Sequence, residues 1–312
     1  MVMNKETRNG LHENPERFIE EAIKRFVRES DKNRLPSFGD ASIFEEPLIG
    51  FAAGDDPLFD EYKKVVHAEH FTPREILARH IRETLNNEGP LPDMVSVVSF
   101  VLPANRETLR SNALEKEGPS LRWNHTRWLG QAFIDALSHH LAGLVESLGI
   151  PAVAPGVSPF FKIMTVPGGF SSNWSQRHIA YAAGLGTFSL NEGFITRRGM
   201  AMRLGSIVAG MKLAPSAKPY PHYRANCLFY RGIKCGRCIS RCPGGALSEE
   251  GHDKLKCFNI LYEKQAPWLK GEHGPGYIGQ YAGCGLCQTG VPCANRIPEK
   301  GEGPEEKTGG TS

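Results

Sequence analysis

Residues 235–247 read CGRCISRCPGGAL. Three thiols crowd into this run, Cys235, Cys238 and Cys242, and Pro243 turns the chain away directly after the third. Working outward, Cys227 lies upstream and Cys257 downstream, and the stretch GCGLCQTGVPC (residues 283–293) brings Cys284, Cys287 and Cys293. The spacings are C-x7-C-x2-C-x3-C-P and C-x26-C-x2-C-x5-C, and they use all 8 cysteines; no cysteine precedes residue 227. A secreted, disulfide-stapled chain would carry a signal peptide. The opening MVMNKETRNG leads into no hydrophobic core of that kind,. Clustered thiols in a reducing compartment point to metal. Export is therefore not expected, and the chain reads as cytoplasmic.

Bacterial two-cluster ferredoxins use C-x2-C-x2-C-x3-C-P, in which the fourth cysteine ligates the other cluster. A four-iron cluster needs four thiolates around it. A tight loop supplies three, and a more distant residue supplies the fourth. On that pattern Cys227, Cys235, Cys238 and the remote Cys293 hold one [4Fe-4S] cluster, and Cys257, Cys284, Cys287 and Cys242 hold the second. Three gaps are longer than usual, which loop insertions would accommodate. The competing chemistry is a zinc ribbon of Cys235, Cys238, Cys284 and Cys287. It leaves four cysteines and the Cys242-Pro243 step unexplained.

The chain has 312 residues, room for about two domains,. With 40% hydrophobic and 23% charged residues it is globular, and 34 glycines with 22 prolines make it rich in turns,. No apolar run approaches the ~20 residues of a membrane helix. The net charge of +3 says little, but residues 193–248 contain no Asp or Glu and ten basic residues: Arg197, Arg198, Arg203, Lys212, Lys218, Arg224, Arg231, Lys234, Arg237 and Arg241. Such cations suit an anionic iron–sulfur module. They equally suit a solvated face or nucleic-acid phosphates.

Helices are expected from Pro15 behind the Asn14 cap, from the capping box at residues 72–75, over 128–148 where apolar residues repeat at three and four, and over 173–183,. Strands are expected at 94–102 (MVSVVSFVL), 152–154 and 204–209,. Pro215, Pro219 and Pro221 mark a linker,. The expected organisation is an N-terminal region 1–90, an α/β (α+β) domain 91–215, a dicluster ferredoxin-type domain 216–298 and a disordered tail 299–312.

The segment 175–210, SQRHIAYAAGLGTFSLNEGFITRRGMAMRLGSIVAG, together with CGRCISRCPGGAL, Cys257 and GCGLCQTGVPC, resembles the epoxyqueuosine reductase family, itself related to respiratory reductive dehalogenases. The similarity covers roughly residues 90–298. It implies a nitroreductase-like cobalamin domain followed by the two-cluster module, with electrons passing from a low-potential donor such as ferredoxin or flavodoxin through both clusters to cobalt. The positions it assigns to cofactor binding are Gly184, Gly186, Asn191, Gly193, Gly205 and Asn259. Glycines at 186, 193, 199 and 205 would let backbone approach a planar ligand closely, while Gly184 also suits a helix C-cap. His139 and His140 fall in the long amphipathic helix and read as structural.

The family places an acidic proton donor upstream of the Ala183-Gly184-x-Gly186 turn. The equivalent residues here, Phe170-Ser171-Ser172-Asn173, include no carboxylate. A reduction still needs a proton, and His178 and Tyr181 are the nearby candidates. The expected substrate is accordingly a small-molecule or nucleoside-type compound other than epoxyqueuosine, with tRNA as a less favoured partner. A dicluster electron carrier without cobalamin and a zinc-organised nucleic-acid binder are the competing functions.

Overall fold

The computed structural model describes residues 11 and 13–300. The expected disordered tail falls largely in 301–312, outside the described residues. Two compact units alternate along the chain: Met1–Asn105, Trp128–Leu185 and Met202–Pro219 form the first, and Arg106–Arg127, Gly186–Ala201 and Tyr220–Ser312 the second. The cysteine-bearing unit thus takes two segments from within the stretch that the sequence reads as one preceding domain.

The first unit is built on a four-stranded antiparallel sheet. Its strands are β1 (Leu48–Ala53), β2 (Ser96–Pro103), β3 (Ala152–Val153) and β4 (Met202–Ala209), in the order β1-β2-β4-β3. Every residue of β2 is buried, which is why its sequence is apolar on both faces, broken only by the small Ser96 and Ser99, rather than an alternation,. The core sets Phe100, Val98 and Ile207 from the sheet against Ile19, Ile23 and Val27 of the helix Pro15–Glu29 and Phe133, Leu137 and Leu141 of the long helix Leu121–Ser147.

The local signals act as expected at several ends. Asn14 accepts from Arg17 N at 2.9 Å, the Thr72–Glu75 capping box is complete, and Gly149 (φ +84°) follows the end of the long helix. That helix starts at Leu121, a full two turns before its apolar repeat, because Ser120 accepts from Trp123 N at 3.1 Å and opens it. The helix expected over 173–183 covers only Gln176–Ala182. Asn173 is buried and accepts from Lys162 N while donating to Phe160 O, closing a hairpin of Ile163–Val166 and Gly169–Ser172. An Asn held on both sides in this way cannot start the helix. The Pro-rich segment is likewise no free tether: Ser216 bonds both ways with the backbone of Phe51 in β1.

Candidate metal centres

All eight cysteines are free thiols. Cys227, Cys235, Cys238 and Cys293 line one pocket, together with Ser189, Asn191 and Phe229. Burial pushes the Cys238 thiol up to about 12, and Cys227 and Cys235 beside it add to the shift. Cys293 is raised by burial, then by Cys227, Cys238 and Cys235. The remaining four form a second group. Cys257 is pushed up to about 11 by burial, then by Cys284 and Cys242. Cys287 is raised by burial, then by Cys284 and Cys257 of its own group, and after them by Cys238 of the other.

The two loops share a device. In Cys235-Gly236-Arg237-Cys238 and Cys284-Gly285-Leu286-Cys287, the glycine takes a positive φ, +113° and +63°, and a short helical turn follows. A side chain at either glycine would be strained.

Among the described residues no three His, Cys, Asp or Glu side chains converge as a single ion requires, whereas zinc draws its thiolates to ~2.3 Å. The four cysteines of the zinc-ribbon alternative are divided between the two groups. Burial raises the Cys238, Cys257, Cys284, Cys287 and Cys293 thiols, so binding iron there would release protons,.

The cysteine loops are fixed by side chains that sequence reading missed or read differently. Asn112 is fully buried; its amide donates to Thr289 Oγ1 at 2.9 Å and to Cys284 O at 3.3 Å, and its Oδ1 accepts from Ser120 N. Asn191, read as a cofactor contact, donates to Cys287 O at 2.8 Å and accepts from Gly193 N at 3.0 Å. Met200 N donates to Cys293 O at 3.0 Å. Donors that reach sulfur directly include Ala246 N at Cys242 Sγ, at 3.2 Å, and at Cys284 the Leu286 N–H and then the buried Gln265 side chain. Such N–H···S bonds tune cluster potential. An Asn pairing with a carbonyl far along the chain leaves no local pattern to find.

The other expected cofactor positions are divided between the units. Gly184 and Gly205 lie in the first, and Gly186, Asn191, Gly193 and Asn259 in the second. Their own chain fills the space a Cβ would need: Ala217 O at Gly184, the Phe100 ring at Gly205, Ile195 O at Gly186 and Met200 Cε at Gly193. Protein packing therefore accounts for these glycines, and Asn259 is an exposed end of the helix Lys254–Asn259.

His178 and Tyr181 both sit on the helix Gln176–Ala182. The His178 ring lies 2.8 Å from Ser175 Oγ and edge-on to Tyr62, whose hydroxyl donates to His178 O at 2.8 Å. Burial pushes the Tyr181 phenol up. The same neighbourhood holds His70, fully buried and stacked on Trp174. His139 is an exposed residue of the long helix, and the exposed His140 stacks on Phe26.

The basic stretch is divided between the two units. Arg203, Lys212 and Lys218 belong to the first unit and the other seven to the second. Lys218 pairs with Asp56, Arg224 lies 4.1 Å over the Tyr230 ring, and Arg231 donates to Pro298 O. No helix of the described residues is long and apolar enough to cross a membrane.

No family model matches the chain. By sequence it is similar to the epoxyqueuosine reductase of Gloeobacter violaceus, 36% identical over 119 residues. That match covers 36% of this chain and spans about a third (34%) of the relative's length. Solved structures similar to it include an epoxyqueuosine reductase with an epoxyqueuosine-modified tRNA-Tyr stem loop (19% identity, 83% of this chain and 63% of that one, TM-score 0.41). A catabolic reductive dehalogenase is also similar (12% identity, 91% and 38%, TM-score 0.46).

Proposed function

We propose that the chain is an oxidoreductase of the epoxyqueuosine reductase-like kind, in which two [4Fe-4S] clusters carry single electrons from a low-potential donor such as ferredoxin or flavodoxin to a reductive site. The observation that carries this reading is the sorting of the thiols into two fours. Each four takes three from one sequence group and one from the other, as a two-cluster module requires,. Cys227, Cys235, Cys238 and Cys293 would hold one cluster, and Cys242, Cys257, Cys284 and Cys287 the other. Asn112 and Asn191 hold the second loop in place, and the Gln265 amide and Ala246 N–H stabilise the charge on its sulfurs.

The resemblance also implies cobalamin, which when bound supplies two-electron reduction of a carbon–oxygen or carbon–halogen bond. The glycines read for it are filled by the chain's own atoms. They do not fit the expected cradle, and no step is assigned through the group. The proton such a reduction consumes would come from Tyr181 or His178, the candidates on one short helix,. With no carboxylate in residues 170–173 the substrate class is a nucleoside-type or other small molecule, not epoxyqueuosine itself. The tRNA stem loop is the partner of the relative that binds it.

The filled glycines favour one second reading, a dicluster electron carrier without cobalamin. Anaerobic reconstitution with iron, sulfide and hydroxocobalamin separates the two. About eight iron atoms with about one cobalt per chain is the result expected of the reductase. Iron without cobalt leaves the carrier, and a colourless zinc protein overturns both. Cys293→Ala is expected to damage the same cluster as Cys235→Ala; damage to the cluster of Cys284 would overturn the pairing.

A further inference from the structure

Arg241 directly precedes Cys242, and its guanidinium reaches four backbone carbonyls. Nε donates to Leu286 O and Thr289 O (3.3 and 3.1 Å), Nη1 to Glu115 O (2.8 Å) and Nη2 to Asn112 O (3.1 Å). Gly290 makes room for it: with φ +64°, a Cβ there would stand 3.3 Å from Cζ and Nε of Arg241. Every hydrogen-bond partner is a neutral carbonyl, and among the described residues no carboxylate pairs with it. An arginine keeps its charge in any such setting. Arg241 is half-buried, and a charge partly withdrawn from water favours a counter-charge nearby,. What lies around it is the second thiol group: Cys242 is its neighbour, and Leu286 sits between Cys284 and Cys287.

We propose that Arg241 is the counter-cation of the cluster held by Cys242, Cys257, Cys284 and Cys287, and that its charge raises the reduction potential of that cluster while its fork fixes the loop. The inference rests on the cluster assignment above. A thiolate-ligated [4Fe-4S] unit is net anionic, and reduction adds one electron and breaks no bond. A fixed positive charge nearby therefore stabilises the reduced form more than the oxidised one. Arg241 touches no substrate and is a positioning residue.

The test is a dithionite redox titration of the reconstituted whole chain, followed by EPR, on wild type, Arg241→Gln and Arg241→Lys. Cys257→Ser marks which of the two reduction waves belongs to this cluster. Arg241→Gln is expected to raise the oxidised-to-reduced ratio of that cluster about tenfold at fixed potential, a downward shift of 59 mV for a one-electron couple. The other wave should stay within roughly twofold, as should both waves in Arg241→Lys, which keeps the charge but not the fork. Equal shifts in the Lys and Gln variants would show a geometric effect and overturn the proposal, as would no shift in either. If Arg241→Gln loads half the iron and Arg241→Lys loads fully, the charge is needed for assembly and the proposal stands. If both load half, the side chain is a clamp alone and the counter-cation role falls. A wild-type chain that takes up no iron would instead overturn the cluster reading, and this inference with it.

Discussion

His70 has given up the proton that a histidine usually takes near neutral pH. Its Nδ1–H donates to Phe71 O at 3.0 Å, and Nε2 accepts from Ser175 N at 3.1 Å, which fixes the neutral tautomer. Burial pushes its pKa down to about 4. The unfolded chain takes the proton at pH ~6.5. This contribution to stability is therefore whole above pH 6.5 and is lost as the pH falls towards 4. By pH 5 the loss is about 2 kcal/mol. Urea unfolding of wild type and His70→Gln at pH 7 and pH 5 checks it: the wild type should lose that much more than the variant. At this scale the cysteines stood out in the sequence as an expectation of metal, because clustered thiols have few other uses in a reducing compartment. Asn112, Asn191 and Arg241 were not, since each works through carbonyls that only the fold brings near.

Elements with a clear period or cap could be read directly. The helices at 15 and 73, the part of the long helix from 128 onward and the strands at 96 and 202 belong to that class. The strand β1 went unread because Leu48–Ala53 contains Gly50 and two alanines and lacks a β-branched run. The hairpin before residue 173 was hidden by exposed apolar residues such as Ile163, which is 70% exposed. Gly205 shows how far a single position can mislead. In β4 it faces Phe100 of β2 in register, and a Cβ would run into the ring. Its φ is not positive, so the glycine serves packing and not backbone conformation. Gly205→Ala should lower stability by ~1–3 kcal/mol, as overpacking does. Trimming the ring in Gly205→Ala/Phe100→Leu should return part of the loss, measured by the same urea unfolding.

On the scale of the molecule, the alternation of two units along the chain was not legible at all. Sequence reading places a boundary where composition changes, near Pro215, yet the cysteine-bearing unit also contains Arg106–Arg127 and Gly186–Ala201. Asn226, for example, takes Thr187 Oγ1 and Ile195 O as partners. A fragment of residues 220–298, which looks from its cysteines like a free-standing ferredoxin, should therefore fail to fold. Iron analysis after reconstitution checks this, with well under half the whole-chain content expected. A fragment that loads about eight iron atoms would show that the two inserted segments are dispensable.

The same alternation sets a timetable for synthesis. Asn112 leaves the ribosome 172 residues before Cys284, the residue whose carbonyl it holds. At ~5–20 residues per second that is roughly ten to thirty seconds during which a buried amide waits for its partner. In the pairing proposed, one cluster awaits Cys287 and the other Cys293, so neither can be closed early. The nascent chain would carry most of its thiols open to oxidants until Cys287 and Cys293 have been made, and iron would have to arrive afterwards.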